Sequence, residues 1–270
     1  MSRLRNAFGV VSRREETALI GFVMGGDPTP KYGQRIAEAL IRGGVDILEL
    51  GIPFSDPIAD GPTIQAAAVR SLASGTTSNT VIDLAKTLGR HYDIPIVLLT
   101  YYNLIRARGI QNFMENASGS NVDGIVIPDL PAEEAEEYKE TAVAYGLDTI
   151  FLAAPTTSVN RLSRILELTS GFLYLVSLTG VTGARSEIQI RTLELVKRFV
   201  KLTKGKVPLG VGFGISKPDH VRQLVKAGVD AAIVGSSFVD IIAKNLEDIE
   251  DACTNLEVET RRLKEATRNS

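Results

Sequence analysis

The 270-residue chain predicts a (β/α)8 TIM barrel with an extra helix at its amino terminus, and three observations predict it. Short apolar runs rich in branched residues recur along the sequence; they are continuous instead of alternating; and a stretch with helical spacing separates each from the next. A strand that is apolar on both faces is buried on both faces, the situation of a parallel sheet covered by helices. Eight such units in about 250 residues make the length of a closed barrel. An open doubly wound sheet is the competing arrangement. No linker or shift of composition divides the chain, so residues 1–270 read as one barrel domain.

The strand candidates are residues 18–24, 45–50, 94–101, 124–127, 148–153, 172–177, 207–212 and 231–234. Ahead of the first, Leu4, Phe8 and Val11 share one face of a short amphipathic helix that covers one end of the barrel. Residues 30–41 carry Ile36, Ala37, Leu40 and Ile41 at helical spacing. Residues 62–72 open with Pro62 at a first-turn position, where a missing N–H costs nothing. Residues 131–145 place glutamates in the first turn, where the helix dipole favours negative charge. Helices over 159–168, 188–202, 218–227 and 238–249 continue the pattern. Residues 71–80, with Ser71, Ser74, Gly75 and Thr76, are a turn between two outer helices, and 257–270 are a charged tail that begins as helix, frays and presents a solvated face.

Composition narrows the function. A chain this long buries roughly three quarters of its unfolded surface, so its core needs no covalent staples. The net charge of -2 leaves no electrostatic footprint for nucleic acid or anionic lipid. One cysteine, Cys253, excludes an internal disulfide and a cysteine-based metal cluster, which suits a reducing compartment. No apolar run approaches the roughly 20 residues of a membrane span, so no membrane partner and a cytoplasmic location are expected.

Barrel chemistry sits at the carboxyl ends of the strands, which converts position into a list of candidates. His91 falls between a helix and the third strand, at the wrong end, and His220 falls inside a helix. A Ser-His-Asp triad and a histidine-ligated metal therefore lack their parts, and no metal is expected. A Schiff-base lysine has to point into the barrel from a strand, but Lys204 and Lys206 precede strand seven. Carboxylates remain: Asp27 after strand one, Glu49, Asp56 and Asp60 around strand two, and Asp129 after strand four.

Glu49 stands between Leu48 and Leu50, so if the leucines face the helices, the two-residue strand period turns Glu49 into the barrel mouth. Burial there would raise its pKa and suit it to proton transfer near neutrality. A salt-bridged barrel carboxylate without a catalytic task is the competing reading. Asp60 precedes Gly61 and Pro62 at a helix start, where a carboxylate also caps free backbone N–H groups. Asp56, between Ser55 and Pro57, reads as a loop-shaping residue.

Two glycine turns supply a second constellation. Residues 212–216, Gly-Phe-Gly-Ile-Ser, follow strand seven, and Gly235-Ser236-Ser237 follow strand eight. Loops after those two strands, with a helix amino terminus, form the phosphate cradle of many barrel enzymes, because backbone N–H groups and the helix dipole converge on an anion. After strand six, residues 177–185 (Ser-Leu-Thr-Gly-Val-Thr-Gly-Ala-Arg) are a candidate lid. Phe22, Leu99, Tyr101, Tyr174 and Phe213 at strand ends are candidates to line a flat apolar pocket, with core packing as the alternative. These residues describe a barrel enzyme without metal or cofactor that binds a phosphorylated molecule with an apolar end and works by carboxylate acid-base catalysis.

The 18 residues 48–65, Leu-Glu-Leu-Gly-Ile-Pro-Phe-Ser-Asp-Pro-Ile-Ala-Asp-Gly-Pro-Thr-Ile-Gln, resemble the signature of the tryptophan synthase alpha chain family. The likeness extends to Phe22 with Gly26-Asp27-Pro28, to residues 180–183, to 212–216 and to Gly235-Ser236. It implies a retro-aldol cleavage of indole-3-glycerol phosphate to indole and glyceraldehyde 3-phosphate. By that resemblance Glu49 is the general acid-base group and Asp60 accepts the indole N–H. Gly183, Gly214, Gly235 and Ser236 hold the phosphate, Thr182 brings the lid to Asp60, and Phe22, Leu99, Tyr101, Tyr174 and Phe213 sandwich the indole. It also implies a beta-chain partner in an alpha2-beta2 heterotetramer, with pyridoxal phosphate in the beta chain only, and Pro53, Asp56 and Pro57 in the loop facing it. Thr100, Pro128, Leu178 and Thr179 depart from the commonest family choices beside the chemistry and bear on fine specificity and the lid. A stand-alone lyase, another phosphate-binding barrel isomerase and a non-catalytic barrel subunit are the other readings.

Overall fold

The computed structural model describes residues 2–176, 190–212 and 214–268. Nine parallel strands form one sheet: β1 (Ala18–Met24), β2 (Ile47–Gly51), β3 (Ile96–Leu99), β4 (Gly124–Val126), β5 (Asp148–Ile150), β6 (Leu152–Ala153), β7 (Leu173–Val176), β8 (Leu209–Gly212) and β9 (Ala231–Val234). The order is β5-β4-β3-β2-β1-β9-β8-β7-β6. Its two ends, β5 and β6, are consecutive in the chain and separated only by Phe151, so the sheet closes on itself and the pair make the fifth of eight staves. The open doubly wound alternative is thereby excluded.

Side chains sort by strand parity. Ala18, Ile20, Ile47, Val97, Val126, Ile150, Phe172, Ala231 and Ile233 pack together inside the barrel, while Leu48, Leu50, Leu98 and Leu175 belong to the layer between sheet and helices. Leu4, Phe8 and Val11 of α1 (Arg3–Arg13) are buried against the interior set and plug the amino-terminal end, as their spacing requires.

Around the sheet run α2 (Pro30–Gly43), α3 (Pro62–Ala73), α4 (Ser78–His91), α5 (Tyr102–Arg108), α6 (Ile110–Ser118), α7 (Glu136–Ala144), α8 (Val159–Leu168), α9 (Ile190–Thr203), α10 (Pro218–Ala227), α11 (Ser236–Lys244) and α12 (Ile249–Glu265). The helix expected over 131–145 is a 3-10 turn at Ala132–Glu134 followed by α7, and the one over 238–249 ends at Lys244 before a separate α12 begins. The expected solvated tail is corrected outright. Thr260, Leu263 and Ala266 are buried, α12 crosses α2 so closely that a Cβ on Gly43 would lie 2.4 Å from Thr260 Cβ, and Lys264 Nζ reaches Asp46 and Glu16, both at 2.9 Å. Charge density made this segment look solvated, but the charges fall on one side and the small and apolar residues on the other.

A fourfold repeat at the amino-terminal face went unread in the sequence. Leu19 N–H donates to Asp46 (2.7 Å), Ile96 N–H to Asp123 (2.9 Å), Thr149 N–H to Ser170 Oγ (2.9 Å) and Leu209 N–H to Asp230 (2.8 Å). Each acceptor stands just before an even stave and takes an N–H at the start of the odd stave preceding it, so each pair of staves is clipped where the sheet ladder begins. Hydrogen bonds to a charged acceptor are worth about 1.5–3 kcal/mol. Asp46→Ala, which also removes one carboxylate from Lys264, should lower unfolding free energy by about 2–3 kcal/mol, with Asp46→Asn losing less; urea unfolding midpoints measure both, and an unchanged midpoint for the alanine variant would contradict the clip.

Candidate active site

Glu49 shares parity with Ile47 in the barrel interior and is wholly buried. Among the described residues neither of its carboxylate oxygens has a hydrogen-bond partner. Burial, and then the charge of Asp60, raises its pKa to about 8. A salt-bridged structural carboxylate would carry a cation partner and a depressed pKa, so that reading of Glu49 fails.

Asp60 reaches the same mouth from the loop after β2. The N-cap of α3 is Gly61, without a side-chain cap, so Asp60 does not serve as one. Burial raises its pKa to about 6, and a hydrogen bond from the Tyr101 hydroxyl holds it below where burial alone would put it. That hydroxyl accepts the Ala59 N–H at 3.1 Å, and Phe54 stacks on the Tyr101 ring at 5.0 Å and 30°. Tyr101 thus hangs the loop and Asp60 from the end of β3. The sequence showed Tyr101 only as a ring; the use of its oxygen depends on a contact 42 residues away in sequence.

The other acids are engaged or outside. Both Asp27 oxygens accept from Arg70, Nε and Nη2 each at 2.8 Å. Asp129 accepts the Tyr102 N–H at 2.9 Å at the start of α5. Asp56 is exposed and takes a bond from Ser55 Oγ. Of the histidines, His91 is the last residue of α4, and His220 is buried in α10 with Nδ1 facing the Ser216 N–H at 3.4 Å. Among the described residues no group of three or more His, Cys, Asp or Glu is placed to hold a metal ion.

Strand register relates the acids to the glycine turns. Phe22 on β1 is opposite Glu49 on one side, and on the other, Gly21 is opposite Val234, which puts Phe22 beside Gly235. A Cβ on Gly235 would lie 3.1 Å from the Phe22 ring, and one on Gly51 would lie 2.8 Å from it, so glycine is what lets the ring lie flat across the mouth. Gly214 has φ +64° in the turn after β8, and Gly235 caps α11, whose first residue is Ser236. These turns end adjacent strands, and the amino terminus of α11 follows the second of them, where free N–H groups and the helix dipole favour negative charge.

A cavity of about 450 Å³ opens beside the acids, lined by Asp60, Leu99, Val126, Leu152 and Tyr174. Tyr174 carries a pKa raised by burial, then by Glu49 and Asp60, so its ring is neutral there. Phe22, Leu99, Tyr101 and Tyr174 therefore surround the acids, with Gly235 and Ser236 across the Phe22 ring. Thr182, Gly183 and Phe213 lie outside the described residues, as does the candidate lid. Val126 and Leu152 escaped the sequence reading because apolar residues at strand ends do not distinguish pocket from core.

A closed barrel carries two acids at its mouth, neither paired with a cation among the described residues, and two glycine turns two and three strands away. Such a mouth has the groups of a carboxylate acid-base enzyme acting on a flat apolar substrate with an anionic end. A sequence model of the tryptophan synthase alpha chain matches residues 8–268. The alpha chain from Methanoregula boonei is 48% identical over 246 residues, covering 91% of each chain, and that from Methanosarcina mazei is 45% identical over 262 residues, covering 97% of this chain and 93% of that one. Among solved structures, the Legionella pneumophila alpha subunit superposes with a TM-score of 0.89 at 30% identity over 99% and 98% of the two chains. A chain from a structure titled as the a2b2 complex of Pyrococcus furiosus superposes at 0.86 with 41% identity over 92% and 98%. The chain belongs to the tryptophan synthase alpha chain family. It is accordingly a lyase, whose reaction is the cleavage of indole-3-glycerol phosphate in tryptophan biosynthesis.

Glu49 makes stability depend on pH in a set direction. A carboxyl whose folded pKa is raised from 4.5 to about 8 stabilises the fold when protonated, and that contribution is lost as pH rises from the lower value through the upper. Glu49→Gln should therefore be the more stable protein at pH 9, with the difference in melting temperature growing between pH 4.5 and 8 by about 5 °C or more. A difference independent of pH, followed by calorimetry, would show that Glu49 ionises normally in the fold.

Proposed function

We propose that Glu49 and Asp60 perform the retro-aldol cleavage as an unequal acid pair, and the observation that carries this is a buried, partnerless Glu49 beside an Asp60 steadied by Tyr101. At neutral pH Glu49 is protonated and Asp60 ionised, since their pKa values of about 8 and 6 bracket it. Glu49 gives its proton to the indole ring carbon that bears the glycerol chain, turning a poor leaving carbon into part of an indoleninium. Asp60 accepts the indole N–H and offsets the positive charge growing on the ring. The carbon-carbon bond then breaks as the glycerol hydroxyl loses its proton, with the Glu49 carboxylate helping to remove it, and indole and glyceraldehyde 3-phosphate result. Each positioned proton transfer is typically worth about 10² to 10⁴-fold.

The remaining assignments follow the substrate's shape. In this proposal Phe22, Leu99, Tyr101, Tyr174 and Phe213 contact the indole; Gly183, Gly214, Gly235 and Ser236 take the phosphate; and Thr182 partners Asp60. The reading gives this chain no cofactor and places it in the cytoplasm; no helix among the described residues is long and apolar enough to cross a membrane. It pairs the chain with a beta chain as an alpha2-beta2 heterotetramer, with pyridoxal phosphate confined to the beta chain. Supporting that face, Ile58 is 84% exposed in the same loop that carries Pro53, Asp56 and Pro57.

Two outcomes test the chemistry. Indole release should have a bell-shaped pH profile, falling below about 6 as Asp60 takes up a proton and above about 8 as Glu49 loses its own. Glu49→Gln should lower kcat by 10²-fold or more with the fold and phosphate binding kept; turnover within tenfold of the wild type would defeat the assignment. Measuring both with and without a beta chain also decides between a subunit and a stand-alone lyase.

A further inference from the structure

Asp27 and Arg70 lie outside the acid pair, yet they make the one bidentate ion pair at the mouth whose carboxylate is wholly buried among the described residues. Asp27 ends the turn after β1 and Arg70 is on α3, the helix that starts at Pro62, two residues after Asp60. The neighbouring Ser71 is also wholly buried and donates its hydroxyl to Gly25 O at 2.6 Å, and Gly25 N–H in turn donates to Gly51 O at 2.8 Å, two residues beyond Glu49. Below these contacts Ala67 and Ala68 pack on Phe22 and Met24. A rigid helix is therefore pinned near its carboxyl end to the turn between the strands that carry Phe22 and Glu49, and its amino end delivers Asp60. Gln65 Nε2, donating to Asp60 O at 2.9 Å, ties the delivered segment to the helix.

We infer that Asp27 and Arg70 are positioning residues for the reaction: their ion pair sets how far α3 carries Asp60 toward Glu49. The alternative, a plain brace, has a different signature. An arginine-carboxylate fork fixes direction as well as distance, where packing alone tolerates sliding. Misplacing a reacting group by about 1 Å can cost 10²-fold, so a helix shift too small to unfold the protein still registers in catalysis. The groups that face Glu49 are Asp60 from the β2–α3 loop and Tyr174 from β7, with Tyr101 behind Asp60. The tyrosines stay neutral, so Asp60 is the neighbour whose distance Glu49 senses.

The inference rests on the proposed roles of Glu49 and Asp60, and two measurements keep the failures apart. Wild-type indole release from indole-3-glycerol phosphate, with its Glu49→Gln control, judges those roles. Arg70→Met, Arg70→Lys and Asp27→Asn judge the pair. For Arg70→Met the expected result is a kcat lowered about 10- to 100-fold with KM changed less than about threefold, and a basic limb of the pH profile moved to lower pH because Asp60 no longer raises Glu49. Arg70→Lys, which keeps the charge but loses the fork, should restore part of kcat and of the limb. Independently of turnover, the stability difference that Glu49→Gln makes, measured in the Arg70→Met background, should stop growing at a lower pH than in the wild type. A loss of melting temperature with the basic limb and that plateau unmoved would overturn the inference and leave a brace; so would a rise in KM at unchanged kcat. If Arg70→Met does not fold, the same readouts on Arg70→Lys and Asp27→Asn decide.

Discussion

The structure depends on one electrostatic arrangement: a carboxyl group placed in the low-dielectric interior of a barrel with no cation to meet it among the described residues. Desolvation disfavours the ionised form, and the nearby Asp60 adds to it, so Glu49 keeps its proton at a pH where an exposed glutamate does not. Most of the surroundings serve to keep that state. The sheet places Glu49 inward, α1 closes the far end, aromatic rings fill the mouth, and Arg70, on the helix that follows Asp60, is turned to Asp27.

The second acid shows how a fold separates two identical chemistries. Glu49 and Asp60 are both carboxylates in a shielded place, but Asp60 receives the Tyr101 hydroxyl and Glu49 receives nothing from the described residues. Deeper burial and the charge of Asp60 push Glu49 up, and the Tyr101 hydroxyl holds Asp60 down, so their titrations separate, as they must where acid and base roles are divided in a shared site. Tyr101 can do this because Phe54 holds its ring and the Ala59 amide fixes its oxygen.

Stability and function draw on opposite ends of the same staves. At the amino-terminal face Asp46, Asp123, Ser170 and Asp230 clip neighbouring staves together, and Lys264 of α12 joins Asp46 to Glu16. At the carboxyl-terminal face Asp27 and Asp129 are engaged by Arg70 and the Tyr102 amide, while Glu49 has no partner among the described residues. At the lower face Asp46, Asp123 and Asp230 are satisfied by amides, arginine or lysine; at the upper face neither Glu49 nor Asp60 meets a cation among the described residues.

The eight staves, the plug of Leu4, Phe8 and Val11, the inward direction of Glu49 and the two glycine turns were legible in the sequence, because each follows from a short-range period or from a residue type with few uses, whereas α5 and α6 between β3 and β4 were not delimited. The 48–65 segment and its companions were specific enough to suggest the family. What the sequence did not decide were contacts between residues far apart in the chain: Tyr101 with Ala59 and Asp60, Arg70 with Asp27, Lys264 with Asp46, and α12 seated on Gly43. A charged residue looks the same in a sequence whether it faces water or a buried partner, and so Asp27 stayed in the list of candidate acids without its Arg70 partner and the last helix passed for a solvated tail. Only the closed barrel, by bringing residues from distant staves to one rim, decides which carboxylates meet a cation and which do not.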